Sequence, residues 1–267
     1  MPNPVTTPSL TVVSLADRRD LEQAMIAMES SWPAYIRPDP VLVHWVFERH
    51  AAHQLMVLDG DEVIARAATA PFSWDGEPAG LPDTGWDEAL RMCLTDTSEA
   101  KPLTTLCALE IAVVPDRRGE DLSRRTLLAL AEHARRSGFR DIVVPVRPSH
   151  KAAEPRTPIV EYVARRRPDG LPEDPWLRVH ARAGAELLAV CPVSMTIAGS
   201  LRQWRAWTGL PFDTSGPVDV PGALAPVDVD LERDHAVYVE PNVWVRHRLT
   251  GRRIQPDSRP ASSTPTS

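Results

Sequence analysis

The stretch from Leu106 to Val146 constrains the fold more than any other part of this chain. Leu106–Val114 (LCALEIAVV) is a nearly unbroken apolar run of strand length. Pro115–Asp121 (PDRRGED) is a polar turn. From Leu122 to Ser137 the residues Leu127, Leu128, Leu130, Ala131 and Ala134 recur at helical spacing, and Gly138 supplies the stop. Asp141–Val146 (DIVVPV) is a second buried strand. Strand, turn, helix and strand in this order make a crossover unit, and such crossovers are right-handed.

The flanking segments add elements of both kinds. Leu10–Ser14 is β-rich. A helix is expected after Asp17, ending at Trp32-Pro33, and a second opens at Asp39-Pro40. Gln54–Leu58 and Glu62–Thr69 flank Asp59-Gly60-Asp61, a hairpin signal. Trp86–Leu94 is a short amphipathic helix. Asp174-Pro175 opens another, which Gly184 ends. Glu186–Val190 and Met195–Ile197 read as strands, and Ala236–Val245 as a strand interrupted by Pro241. The sum is an α+β protein. The expected organisation is one domain over 10–250, with residues 1–9 flexible and the tail 251–267 disordered, because IQPDSRPASSTPTS offers almost nothing to bury.

Composition closes off other classes. The net charge of −6 argues against nucleic acid as a partner. No apolar run is long enough to span a membrane, and the start lacks a signal-peptide pattern, so a cytoplasmic protein is expected. The three cysteines, Cys93, Cys107 and Cys191, have neither metal nor disulfide spacing. His44, His50 and His53 are close in sequence but not at a zinc spacing, so no metal is expected.

Val113-Val114-Pro115-Asp116-Arg117-Arg118-Gly119-Glu120-Asp121-Leu122-Ser123 resembles the acyl-CoA signature of the GNAT superfamily of N-acetyltransferases. Val113, Pro115, Arg118, Gly119 and Leu122 match; Asp121 stands where the signature has its second glycine, and Ser123 where it has its final small residue. The physical need for such a turn is clear. A helix N-terminus presents free N–H groups and a positive dipole end to a pyrophosphate. Asp121 adds negative charge there, which Arg117, Arg118, Arg124 and Arg125 partly offset. The order of elements from about residue 10 to 200 also follows the family. The resemblance implies a GNAT-like fold: a mixed, mostly antiparallel sheet whose central strands splay, here between Ala112–Val114 and Val143–Val146. It implies acetyl-CoA or another acyl-CoA as co-substrate, held by Val113, Arg118, Gly119, Glu120, Asp121, Leu122 and Ser123.

Trp176–Leu187 (WLRVHARAGAEL) resembles the last helix of the family, and His180 falls where a general-acid tyrosine is common. An imidazole with a pKa near 6.5 would suit protonation of a leaving thiolate. Glu110, on the signature strand, is the candidate base, directly or through water, with His150 as a competitor. The connector 147–173 is long and basic, and is expected to act as a lid or acceptor loop through Arg147, His150, Lys151 and Tyr162. In the family the final strand lines the acceptor site, so Tyr238, Glu240 and Asn242 are further candidates. The segment 200–233, with Trp204 and Trp207, is an elaboration expected to cover the acceptor site or form a homodimer contact.

The reaction expected is direct transfer of an acyl group, with acetyl favoured, from the thioester to a small-molecule amine. A backbone N–H near Val113 would polarise the carbonyl. Two alternatives stay open from sequence: a different acyl carrier or chemistry on the same fold, and a binding protein that has lost CoA.

Overall fold

A computed structural model describes residues 10–30 and 32–249. The expectations for 1–9 and 251–267 lie outside the described residues. Strands β1 (Thr11–Ser14), β2 (Leu55–Asp59), β3 (Glu62–Phe72), β4 (Thr105–Val113) and β5 (Asp141–Val146) form one half of a sheet. Strands β6 (Glu186–Ser200), β7 (Gly216–Val218), β8 (Val227–Asp230) and β9 (His235–Arg248) form the other. The order is β1-β2-β3-β4-β5-β9-β8-β7, with β6 also paired to β9. Every pairing is antiparallel except β4 with β5. The helices are α1 (Glu22–Ala27), α2 (Pro40–Arg49), α3 (Gly85–Ser98), α4 (Leu122–Arg136), α5 (Ile159–Ala164), α6 (Pro175–Arg182) and α7 (Leu201–Thr208). None is long and apolar enough to cross a membrane.

Local chemistry explains the boundaries. Asp39 caps α2 by accepting from the amides of Val41 and Leu42 at 2.8 and 3.2 Å. Asp174 caps α6 through Trp176 and Leu177 at 2.9 and 3.1 Å. The β2–β3 hairpin turns on Gly60 at φ +63°. One face of the sheet packs on α1, α2 and α3 through residues such as Met25, Phe47, Trp86 and Leu90. On the other, the stripe Leu130, Ala131 and Ala134 of α4 meets Leu55, Ala67, Leu106 and Ile142.

The central feature is where β4 and β5 part. They pair over only three residues each, Thr105–Cys107 with Asp141–Val143. Beyond that, β4 stays with β3 to Val113 while β5 stays with β9 to Val146. A register shift helps to open them. Thr69 pairs with Ala108 and Ala68 with Glu110, so Leu109 is an extra residue in β4. A bulge of this kind bends and twists its strand.

Two sets of sequence expectations change. First, β9 is continuous through Pro241, because the β6 register skips from Cys191 to Met195 there and no ladder bond is asked of the proline. The two strands expected over 186–197 are one strand, β6, with two such irregularities. Second, the connector 147–173 is a packed substructure. Ile159 and Val163 of α5 join Val146, Leu177, Val243 and Val245 in a small core. The segment 200–233 opens with α7, whose N-terminus carries a Ser200–Gln203 capping box, and continues into β7 and β8 at the sheet edge.

Candidate active site

The parting of β4 and β5 leaves a cavity of about 380 Å³. Its walls are Ala108–Ile111 of β4, Val144–Val146 of β5, Ser123 and Leu127 of α4, and Trp176 and His180 of α6. The opening thus lies about four residues earlier on β4 than the resemblance implied, at the Leu109 bulge rather than near Val113. Val113 itself is buried and paired with Ala65. A second cavity, of about 430 Å³, lies between the sheet and α1–α2. Its lining is mainly apolar: Ile26, Ile36, Val43, Phe47 and Trp86, with Ser30, His44, Arg66 and Glu110 as polar members. Glu110 lines both cavities.

Glu110 is held from two sides. Arg66 Nη2 donates to Oε2 at 2.7 Å, and Ser30 Oγ donates to Oε1 at 2.5 Å. Both side chains of the ion pair are about one-tenth exposed, at 10 % and 11 %. Arg66 is anchored further by Nη1, which donates to the carbonyl of Met25 at 2.6 Å. A carboxylate has about four lone-pair sites, so two remain for a substrate N–H. Sequence reading passed over Arg66, Ser30 and the rest of the second cavity. One signal was present: an arginine within the apolar run EVIARAAT must find a partner if it is buried.

His180 is 2 % exposed and packs against Trp176, with ring centroids 5.0 Å apart. Its Nδ1 lies 2.9 Å from Nε2 of His247, so one ring donates to the other. Burial pushes both imidazoles well below the ordinary value of 6.5, and at His180 the neighbouring His247 lowers it further. Burial therefore favours the neutral form of the ring over the imidazolium that full proton donation near neutrality needs. Among the described residues His180 Nε2 has no hydrogen-bond partner. In the tautomer where His247 Nε2–H donates to His180 Nδ1, that atom carries the hydrogen.

The turn Arg118–Asp121 is exposed, while Leu122 is buried against Val57, Ile64 and Val113. Gly119 has φ +93° and Asp121 φ +61°. The aspartate therefore adopts the left-handed conformation that a glycine takes without strain. Its carboxylate turns to Arg124, 2.7 Å from Nε, and does not cap the helix. Glu120 accepts from Arg117 Nε at 2.8 Å, and Arg117 also reaches Asp59.

The remaining candidates are drawn into structural networks. Lys151 is fully buried, and its ammonium donates to the carbonyls of Glu154 and Leu224 at 2.6 and 2.7 Å. Tyr162 donates to Asp174 at 2.9 Å, and Arg165 pairs with Glu154. His150 is exposed, its backbone amide bound to Asp174. None of Lys151, Tyr162 or His150 lines either cavity. Tyr238 and Asn242 both hydrogen-bond Glu240, and Glu240 holds Arg147 at 2.8 Å. Only Arg147 of this group reaches a cavity wall, so Glu240 and Tyr238 stand behind it rather than beside a ligand. Among the described residues no group of three or more His, Cys, Asp or Glu is placed to hold a metal ion.

No family model matches the sequence. An arginine N-acetyltransferase of Aspergillus versicolor, avaD, is 32 % identical over 277 residues, covering 91 % of this chain and 95 % of that protein. Among solved structures, the loading GNATL domain of CurA from Lyngbya majuscula is similar at a TM-score of 0.57 and 15 % identity, over 91 % of this chain and 98 % of that one. The GNAT-like decarboxylase GphF, solved with isobutyryl-CoA, is similar at 0.52 and 16 %, over 90 % and 99 %. At these identities the two structures speak for the fold alone.

Proposed function

The chain belongs to the GNAT superfamily of N-acetyltransferases, and from that premise we propose that it transfers an acyl group, acetyl first, from coenzyme A to the amine of a small molecule such as arginine. The observation that carries this reading is the meeting of two cavities at one carboxylate, Glu110. One cavity runs from the α4 N-terminus along the parted strands; the other is apolar and closed by α1–α2. A thioester in the first and an amine in the second would meet at that point. The arginine N-acetyltransferase relative supports an amino acid as the acceptor to try first.

The residues present fit an acyl-CoA. The Arg118–Ser123 turn leads into a helix whose first turn is not capped by Asp121, leaving its dipole end for a pyrophosphate. Ser123 and Leu127 carry that wall into the cavity. The bound thioester supplies an activated acyl carbon and a thiol leaving group. The β4 edge from Ala108 onward has no partner on its β5 side, so its backbone can donate to an acyl oxygen. Glu110 accepts the proton of the attacking amine and orients it. The amine nitrogen would bond to the acyl carbon as the C–S bond breaks. In the tautomer where His247 Nε2–H faces its Nδ1, neutral His180 donates a hydrogen bond from Nε2 to the departing thiolate, which takes its proton from solvent while Glu110 returns its own. This assigns His180 a stabilising role in place of full proton transfer.

Two measurements test this. Calorimetry should show acetyl-CoA binding well below millimolar, and thiol release should depend on added arginine or another amine. No binding up to millimolar removes the reading, and binding without amine-dependent thiol release points to another chemistry. Asp121→Gly checks the binding end separately. It relieves a left-handed non-glycine residue, worth about 1 kcal/mol, and removes a negative charge beside the phosphates. The expected result is acyl-CoA affinity higher by roughly threefold to tenfold at low salt, with the gain shrinking as salt rises. An unchanged Kd would separate this turn from the nucleotide.

A further inference from the structure

We propose that Trp32 is the partition that sets the acyl chain length this site accepts. The inference rests on the acyl-transfer reading above and adds the identity of the acyl group to it. Three residues, Trp32, Leu109 and Glu110, line both cavities. Leu109 and Glu110 are the bulged floor on β4. Trp32 comes from the segment between α1 and α2 and is the bulky side chain at the junction.

Its position is fixed by a chain of contacts. The Trp32 amide donates to Ser30 Oγ at 3.1 Å, and that hydroxyl donates to Glu110. The indole meets Trp86 edge to face, with centroids 5.5 Å apart and planes at 76°. Trp86 is itself immobilised. It is 4 % exposed, its Nε1 donates to the carbonyl of Leu109 at 2.9 Å, and its amide donates to Ser194 Oγ at 2.9 Å. The Ser30 hydroxyl on its backbone and the Trp86 indole on its ring therefore hold Trp32 as a wall at the junction.

Geometry then dictates selectivity. An amine in the α1–α2 cavity and a thioester carbonyl in the β4–β5 cavity meet at Glu110. The acyl carbons beyond the carbonyl must lie at the same junction, where the indole stands. An acetyl group fits in front of it, whereas a tail of several methylenes collides with it or displaces the amine. Removing the indole widens the junction and gives a longer tail an apolar space lined by Ile36 and Phe47.

The test compares acetyl-, butyryl- and hexanoyl-CoA with one amine acceptor in the wild type, Trp32→Ala and Trp32→Leu. The wild type should favour acetyl over hexanoyl. In Trp32→Ala the hexanoyl-to-acetyl ratio of kcat/KM should rise by at least about tenfold, the scale on which pocket volume discriminates methylenes, with Trp32→Leu shifted in the same direction. Calorimetry should show the corresponding gain in hexanoyl-CoA affinity. A wild type that already uses hexanoyl-CoA as well as acetyl-CoA overturns the proposal. So does an unchanged ratio in a folded variant, Trp32→Leu carrying that test should Trp32→Ala not fold. Failure of the wild type to bind or use any acyl-CoA would instead strike the acyl-transfer reading itself.

Discussion

Glu110→Gln should lower kcat/KM for the amine acceptor by about 10²- to 10⁴-fold, the range that a positioned acid–base group contributes. The amide keeps the shape of the carboxylate and can still accept from Ser30 or Arg66, but it cannot take a proton. Acyl-CoA affinity should change little, because the nucleotide end is gripped at the α4 N-terminus, on other residues. The loss should fall mainly on kcat if Glu110 acts as the base, and on the acceptor KM if it only attracts a cationic amine. Steady-state kinetics with calorimetry in parallel separates the two, and unchanged turnover would remove Glu110 from the reaction. The substitution also leaves the buried Arg66 charge without its anion. Breaking such a pair commonly costs about 3–5 kcal/mol, so a thermal melt of the variant must accompany the rates. Arg66 thus serves as the fixed counter-charge that keeps the carboxylate oriented at the junction.

Trp204→Ala is expected to be the most destabilising single change in the elaboration. Trp204 is fully buried, and its Nε1 donates to the carbonyl of Ala236 at 2.9 Å. It packs on Tyr35 and Phe212, with ring centroids at 5.5 and 5.7 Å. Truncating a core tryptophan costs about 3–5 kcal/mol, and the stranded carbonyl adds to that. For a chain of this size each kcal/mol moves the melting temperature by roughly 2–4 °C, so a fall of about 10 °C or more is expected by calorimetry. The effect should reach the acceptor cavity. Tyr35, which also donates to the Pro221 carbonyl at 3.3 Å, precedes Ile36 on the cavity wall. The acceptor KM should therefore rise in the folded variant while acyl-CoA affinity holds. A melting temperature within 2–3 °C of wild type would show that α7 is not part of the cooperative core.

These two cases show why the acceptor side was hard to read from sequence. Glu110 was legible because it lies within the signature strand, where one carboxylate among apolar residues is conspicuous. Its partners were not. Ser30 and Arg66 are 80 and 44 residues away in sequence, and no local pattern links them. The connector was misread for the opposite reason. Arg147, Lys151 and the run Arg165–Arg167 look like a basic lid when counted as charges. In the fold Lys151 is consumed by backbone carbonyls and Arg165 by Glu154, so these charges build the loop, and of the connector's candidates only Arg147 lines a cavity. His180 shows a third kind of limit. The resemblance to the family's last helix located it, but its burial beside His247, which lowers its pKa, came only with the fold.

The sequence by itself determined the crossover unit, the helix starts at Asp39 and Asp174, the β2–β3 hairpin and the turn at Arg118–Ser123. All of these are governed by interactions within a few residues: apolar periodicity, capping carboxylates, and a glycine that accepts positive φ. Tertiary structure alone decided where β4 leaves β5, which side chains share the junction of the two cavities, and which charges are spent on the scaffold. Those outcomes depend on pairings between distant strands and on the solvent that each group loses when the sheet closes, and neither is encoded in local spacing.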